Sequence, residues 1–244
     1  MQRIDGRTHD QLRPVRITLD PFGFAEGAAL IEQDGTRVLC TASVEENVPS
    51  WMRGNGSGWV TGEYALLPRS TETRTRRERN GASGRTQEIQ RLIGRSLRAA
   101  VDLDLLGECM VIIDCDVLQA DGGTRTASIT GGFVALALAL HRLVEKQRLE
   151  HYPITHQIAA VSAGYVDQVA LLDLNYQEDS SADLDCNVVQ TGTGGIVEVQ
   201  CTAEGQPVSH TALHELLDLT TNGIQSLLQT QRSALSEANV PLPQ

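Results

Sequence analysis

Hydrophobic and polar residues alternate near the start of the chain in a way that predicts β-strands. Three runs rich in β-branched and apolar residues, 15–19, 28–33 and 37–45, have this pattern. Asp34 and Gly35 stand between the second and third runs, and an Asp-Gly pair in that place is typical of a tight hairpin turn. The pattern therefore predicts a sheet that contains an antiparallel hairpin.

Two loops and two helices are predicted for the middle of the chain. The stretch 50–62 is rich in glycine, and 69–86 is polar, rich in arginine and without a core-facing side, so both predict loops. Apolar residues recur at helical spacing over 86–103. From within 121–132 to about residue 146 the chain is apolar nearly all round, which predicts a helix at the centre of the protein.

The remaining elements complete a mixed order of strands and helices. Strands are predicted over 109–117, 158–166, 168–173, 187–191 and 196–203, and two closing helices over 209–219 and 221–236. The order is neither a strict alternation of strand and helix nor a run of strands alone. It predicts the α+β fold class, with mixed sheets and packed helices. No linker or low-complexity segment divides residues 1–244, so a single domain is expected.

The segment DGGTRTASITGG (121–132) lies where a predicted strand gives way to a helix. Gly122 and Gly123 permit close backbone approach, Thr124 offers a hydroxyl, and Arg125 supplies charge. The first turn of a helix also has unpaired N–H groups and a partial positive charge, which suit an anion. The spacing is not that of a P-loop. On this segment alone, an anion site and a plain capped turn both stay open.

A short acidic segment carries Asp179, Asp183 and Asp185 ahead of a predicted strand. Carboxylates this close repel each other unless a cation lies between them, and oxygen ligands suit Mg²⁺ or Mn²⁺. If the strand begins early, alternation puts Asp183 and Asp185 on one face. The alternative is a solvated acidic turn. An anion pocket combined with a divalent-cation site is what phosphoryl transfer requires.

Charge is distributed unevenly along the chain. The net charge of −11 taken alone argues against a nucleic-acid partner. Residues 69–98, however, contain nine arginines and three glutamates, a net charge of +6. The remainder has 11 basic and 28 acidic residues, a net charge of −17. Because aromatic residues are only 4% of the chain, the basic segment predicts electrostatic binding of a polyphosphate backbone with weak sequence readout.

Cysteine content and hydropathy bear on the compartment. The five cysteines are scattered and form no CxxC pair, which favours buried free thiols in a reducing cytoplasm over a disulfide framework or a zinc site. No apolar run reaches membrane-spanning length, since the longest, 133–140, is too short. The charged N-terminal residues lack the apolar core of a secretory signal. A cytoplasmic protein without a membrane partner is therefore expected.

Several longer motifs resemble the ribonuclease PH family, from Ile4 to about Leu235. They are DGRTHDQLRPVRI, GSGWVTGEYALLPRSTETRTRRE, GRTQEIQRLIGRSLRAAVD, IDCDVLQADGGTRTASITGG and DLNYQEDSSADLDCNVV. The resemblance implies a phosphate-dependent 3′→5′ exoribonuclease, or tRNA nucleotidyltransferase, that trims tRNA precursors and possibly other RNA 3′ ends. Inorganic phosphate would be the co-substrate and nucleoside diphosphates the products, with nucleotide addition as the reverse reaction.

The resemblance also implies an architecture and an assembly. The family fold is a mixed sheet-and-helix unit with left-handed crossovers, related to a domain of the ribosomal small subunit. Its members form homo-oligomers, namely hexameric rings built as trimers of dimers. Gly62 and Cys186 depart from the residues usual in the family, and neither is a position of the implied site.

Residue roles follow from the same resemblance. The implied phosphate-binding residues are Arg85, Gly123, Thr124 and Arg125. The implied catalytic residues are Asp179, Asp185, Arg85 and Arg125. The implied ligands of Mg²⁺ or Mn²⁺ are Asp179 and Asp185. The implied RNA-binding residues are Arg69, Arg74 and Arg77.

Two other classes of function stay open at this point. One is a non-catalytic ring subunit that only binds RNA, which the intact set of site residues argues against. The other is a metal-dependent hydrolytic exoribonuclease, in which the GGTRT corner has no clear part. The identity of the released nucleotides distinguishes the three.

Overall fold

The computed structural model describes residues 3–79, 81–204 and 206–243, which form two sheets and five helices. The strands of the first sheet are β1 (Val15–Leu19), β2 (Gly27–Gln33), β3 (Thr36–Glu45), β4 (Trp59–Leu66) and β5 (Met110–Gln119). Those of the second are β6 (Ile158–Val166), β7 (Val169–Leu172), β8 (Leu184–Thr191) and β9 (Ile196–Ala203). The helices are α1 (Gly84–Arg98), α2 (Leu103–Leu106), α3 (Thr124–Glu145), α4 (Tyr176–Asp179) and α5 (His210–Glu237).

The sheets differ in the direction of their strands. The first has the order β1-β2-β3-β5-β4, antiparallel except for the parallel pair β4 and β5, which α1 connects. The second, β7-β6-β8-β9, is antiparallel throughout. Gln33 pairs with Thr36 across the predicted Asp34-Gly35 turn, so the hairpin is confirmed. The α+β class with mixed sheets is confirmed as well, while the single-domain prediction stays a prediction.

Helix α3 is the centre of the core. It contacts β2, β3 and β5 of the first sheet and β6 of the second, and α1 and α5 cover its remaining sides. Gly131 allows this close packing, since a Cβ there would lie 2.8 Å from Cγ2 of Ile31. The sequence predicted no apolar span of membrane length, but α3 is long and apolar enough by composition. Because 83% of its most apolar window is buried inside the protein, it is a core helix.

Several predicted elements were wrong in their extent. The helix predicted over 86–103 ends at Arg98, and the strand predicted over 187–191 begins at Leu184. The two closing helices are one, α5, which continues without a break through Thr220. Gly223 is there for packing, because a Cβ would lie 2.9 Å from the side chain of Leu172. The last residues of the predicted loop 50–62 belong to β4, which begins at Trp59. Gly62 of β4 packs against α1, where a Cβ would lie 2.6 Å from Cγ2 of Ile93. At Gly62 the glycine marks close contact between two elements, whereas the sequence interpretation took it for part of a loop.

The prediction of free thiols is wrong for one pair of cysteines. Cys186 on β8 and Cys201 on β9 are directly opposite each other in the strand register, with Cα atoms 4.1 Å apart, and they form a disulfide. Sequence separation gave no sign of this, because the pairing depends on the register of two strands. Cys40, Cys109 and Cys115 are free thiols.

Candidate active site

The corner between β5 and α3 has the backbone that its glycines predicted. Gly122 and Gly123 have φ of 73° and 66°, a region that favours glycine. A Cβ on Gly122 would lie 2.4 Å from the carbonyl oxygen of Leu174, so no other residue fits there. Gly123 is the N-cap of α3, and in the described residues no side-chain cap bonds its first N–H groups. The start of α3 is therefore available to an anion.

A pocket of about 200 Å³ opens at this corner, between the two sheets. Its lining includes these predicted site residues: Arg85, Gly123, Thr124, Arg125, Asp179 and Asp185. They come from the first turns of α1 and α3, the end of α4, and β8. The volume is below the roughly 300–1,000 Å³ of pockets for drug-sized ligands, so it suits an ion and the end of a chain.

Arg125 is held on two sides. Its Nη1 donates to Oε1 of Glu88 at 3.2 Å and to Oε1 of Gln200 at 3.2 Å. Gln200 is in turn bonded to Glu198, which pairs with Arg95 at 2.9 Å. The guanidinium is thus oriented by α1 and β9 and still lies on the pocket wall. Arg85 is exposed at the same wall, so two guanidinium groups face one small space.

Burial and nearby charges shift the pKa values of the carboxyl groups of Asp179 and Asp185. Burial and the charge of Asp185 raise the pKa of Asp179, against the opposing effect of Arg125 and Arg85. Burial raises the pKa of Asp185 too, again opposed by Arg125. Because burial favours the neutral form of both carboxyl groups, a divalent cation bound between them would stabilise their charged forms. Two oxygen-donor side chains fit Mg²⁺ or Mn²⁺, since Mg²⁺ keeps several waters in its shell.

The other acidic and basic residues predicted from the sequence do not line the pocket. Asp183 is exposed and precedes β8, so it does not share the site with Asp185 as an early strand would have allowed. Arg69, Arg74 and Arg77 are exposed on the segment before α1. Arg77 lines a neighbouring recess that Arg85 also lines, so the three arginines lie beside the pocket, while Thr71 of the same segment lines it.

Several lining residues were missed by the sequence interpretation. Tyr64 hydrogen-bonds with Thr124 through the two hydroxyl oxygens, 2.8 Å apart. Burial raises the pKa of the Tyr64 phenol, which therefore stays protonated at neutral pH. Ser162 and Asn187 line the other side. The alternation WVTGEYAL could have revealed Tyr64 as a strand residue, but strand pairing is needed to bring Ser162 and Asn187 to the corner.

Comparison with known proteins defines the class of this site. Residues 11–140 match domain 1 of the 3′ exoribonuclease family, and residues 156–223 match domain 2. The chain therefore belongs to the 3′ exoribonuclease family. It is 55% identical over 235 residues to ribonuclease PH of Synechococcus sp. (strain CC9605), covering 96% of this chain and 95% of that protein. It is 54% identical over 237 residues to ribonuclease PH of Crocosphaera subtropica, covering 97% and 99%.

Solved structures share the fold. Rice Rrp46 has a TM-score of 0.80 at 18% identity, covering 96% of this chain and all of that one. An exosome chain of Archaeoglobus fulgidus, solved with RNA bound to the active site, has a TM-score of 0.79 at 24% identity, covering 93% and 92%. At these identities the likeness concerns the fold alone.

Proposed function

We propose that this chain is a phosphate-dependent 3′→5′ exoribonuclease that trims the 3′ ends of tRNA precursors. The observation that carries the proposal is that Arg85, Arg125 and the open start of α3 share one small pocket with Asp179 and Asp185. A phosphate nucleophile and a phosphodiester are both anionic, and this arrangement offers cationic and N–H donors beside a cation site. The family membership and the ribonuclease PH relatives support it.

The reaction assigned to the pocket is a displacement at phosphorus. Arg85 and Arg125 hold orthophosphate at the start of α3, with one oxygen directed at the last phosphodiester of the RNA. A bond forms between that oxygen and the phosphorus, and the bond to the 3′-oxygen of the preceding nucleotide breaks. The 3′-oxygen takes a proton and stays on the shortened RNA, while a nucleoside diphosphate leaves. Positioning and charge neutralisation carry most of the acceleration.

The two carboxylates have a separate task. Asp185, with Asp179, would hold Mg²⁺ or Mn²⁺, which neutralises charge on the scissile phosphate when bound. Asp179 either completes that ligand pair or supplies the proton for the leaving 3′-oxygen, because burial and Asp185 raise its pKa. Thr124 and Gly123 complete the phosphate cradle from the helix start.

Product identity tests the proposal. A tRNA with a short 3′ extension is incubated in Mg²⁺ with and without orthophosphate, and the released nucleotides are resolved. The expected result is nucleoside diphosphates, and only when phosphate is present. Nucleoside monophosphates without phosphate would identify a hydrolase instead, and no release in either condition would identify an RNA-binding subunit without activity.

The proposal extends to assembly and compartment. We assign a cytoplasmic homo-oligomer, a hexameric ring, in which Arg69, Arg74 and Arg77 bind the tRNA. Large apolar side chains are exposed on the single chain, among them Phe24 and Trp51, and a subunit contact would cover them. Light scattering on the purified protein should give the mass of a hexamer, and a monomer mass at micromolar concentration would contradict the ring.

A further inference from the structure

A buried arginine that the proposed reaction does not use hydrogen-bonds to the backbone of the corner between β5 and α3. Arg13, just ahead of β1, is 2% exposed. Its Nη1 donates to the carbonyl oxygen of Asp121 at 2.5 Å, and its Nη2 to that of Gly122 at 3.4 Å. A Cβ on Gly123 would lie only 3.2 Å from the same Nη2. The guanidinium therefore lies directly against the corner backbone.

Arg13 is itself held in a fixed orientation. Its Nη2 is 2.6 Å from Oδ1 of Asp173 and its Nε is 3.0 Å from Oδ2, a two-point pairing between groups that are both buried. The backbone N–H of Arg13 also donates to Oδ2 of Asp173 at 2.8 Å. With Nε and Nη2 fixed by the carboxylate, the remaining edge of the fork is aimed at the corner.

Thr36, at the start of β3, holds the same two peptides. Its Oγ1 donates to the carbonyl oxygen of Gly122 at 2.7 Å and accepts from the N–H of Asp121 at 3.0 Å. Thr36 is fully buried, and Arg13 Nη1 lies 3.5 Å from its hydroxyl. The carbonyl groups of Asp121 and Gly122 thus have donors on their inner side.

Because the peptide bond is planar, the contacts that fix these carbonyl groups also fix the direction of the N–H groups in the same peptides. In a trans peptide the C=O of one residue and the N–H of the next point in opposite directions. When the carbonyls of Asp121 and Gly122 are drawn towards Arg13 and Thr36, the N–H groups of Gly122 and Gly123 are turned the other way. Both glycines line the pocket. Their positive φ has no side chain to stabilise it, so the orientation of these peptides depends on what bonds the carbonyls.

We propose that Arg13 and Thr36 are positioning residues that orient the corner N–H groups for phosphate. The inference rests on the proposed function, because it takes orthophosphate as the anion of this pocket. Neither side chain needs to touch the phosphate. They act through two backbone carbonyls, and Asp173 fixes the arginine that does so.

The variant Arg13→Lys isolates this role. Lysine keeps the positive charge beside Asp173, but a single ammonium cannot bond the carboxylate at two points and two carbonyls as well. Because small displacements in an oriented site have large effects, the Kd for orthophosphate should rise about tenfold or more. The Kd for tRNA should change less than about twofold, since the exposed basic segment is untouched.

Arg3→Lys is the matched control. Arg3 is an equally buried arginine of the N-terminal segment, 3% exposed, and it is 2.6 Å from Oε2 of Glu178. Its Nε also donates to Oε1 of Glu178 at 2.8 Å, and its remaining bonds go to carbonyl oxygens outside the corner, among them those of Leu172 and Asp173. The substitution should lower thermal stability as Arg13→Lys does, yet leave the Kd for orthophosphate unchanged.

The experiment is titration calorimetry of orthophosphate into wild type, Arg13→Lys and Arg3→Lys, with tRNA binding and melting temperature measured on each. Weaker phosphate binding in Arg13→Lys alone supports the inference, and equal phosphate Kd in all three overturns it. If Arg13→Lys does not fold, Thr36→Val decides, since it is nearly isosteric and removes the hydroxyl donor to Gly122; unchanged phosphate affinity there overturns the inference. The product assay on wild type reports separately on the proposed function, because it concerns the released nucleotides and not the affinity for phosphate.

Discussion

Oε1 of Glu88 lies 3.2 Å from Nη1 of Arg125, so a carboxylate already accepts a hydrogen bond from the guanidinium that we assign to phosphate binding. Glu88 is on α1, one turn after Arg85, and its side chain is 46% exposed. The contact orients Arg125, but it also places a negative charge beside an anion site. The first prediction follows from these two effects.

Replacing Glu88 by glutamine should tighten phosphate binding. The amide oxygen still accepts from Arg125, while the repulsion between carboxylate and phosphate is removed. For a partly exposed pair of charges this repulsion is on the order of 1 kcal/mol at low salt, so the KM for phosphate should fall about two- to fivefold. The fall should shrink in high salt, because screening weakens the repulsion. A higher KM at every salt concentration would show that the charge of Glu88 is needed.

Removing either pocket arginine should remove phosphorolysis while the chain still folds. Arg125→Ala and Arg85→Ala each delete one preorganised charged donor, a loss of about 10²–10³ in rate. The measurement is diphosphate release at saturating phosphate, alongside the circular dichroism spectrum. Arg91→Ala is the control, since Arg91 is an exposed arginine of the same helix as Arg85 but does not line the pocket. Turnover like wild type in both pocket variants would contradict the phosphate-site assignment.

The exposed basic segment should govern RNA affinity and its salt dependence. A triple variant, Arg69→Ala with Arg74→Ala and Arg77→Ala, should reduce the slope of log K against log salt by about two to three, because each phosphate contact contributes roughly 0.7–0.9. The phosphate KM should not change. The control is the variant Arg16→Ala with Arg37→Ala, because both arginines are exposed on the first sheet. Unchanged tRNA binding by the triple variant at moderate salt would remove this segment from the RNA path.

The ionised carboxylates of Asp179 and Asp185 should lower the free energy of unfolding at neutral pH. Burial raises the pKa of Asp185 in the folded chain, so the folded state binds its proton more tightly than the unfolded state does. Its ionisation therefore destabilises the fold above the folded pKa, and the penalty disappears as the pH falls below the unfolded pKa. Asp185→Asn should raise the melting temperature at pH 8 in the absence of divalent cations, and should lower activity.

Asp183→Asn is the control for that measurement, because Asp183 is exposed two residues earlier and outside the pocket. Its melting temperature should equal that of wild type. A lower melting temperature for Asp185→Asn than for wild type would contradict the sign derived from the raised pKa. In activity, the wild-type rate should fall on acidification at a higher pH than ordinary carboxylates require, since Asp179 and Asp185 both have raised pKa values.

Much of the site could be predicted because its signals are local in the sequence. Gly122 and Gly123 indicate a corner with positive φ, and Arg125 is the second residue of the helix that follows. The charge of residues 69–98 is likewise readable from composition. The long motifs added the pairing of Asp179 with Asp185 by resemblance, and the structure places both on the same pocket. Their catalytic roles stay predictions.

Other features depend on contacts between distant segments and had no local signal. Gly62 was assigned to a loop, although it is the point where β4 and α1 touch. Cys186 and Cys201 bond because strand register sets them opposite each other.

The sequence by itself determined the alternation of strands and helices, the glycine corner and the concentration of positive charge, since each of these depends on residues within a few positions of one another. Only the tertiary structure decided that α5 is continuous, that Glu88 and Gln200 hold Arg125, and that Arg13 fastens the corner. Arg13 and Asp121 are 108 positions apart in the chain. Such contacts exist only after two sheets have closed around α3, because packing chooses among the many partners that local preferences leave possible.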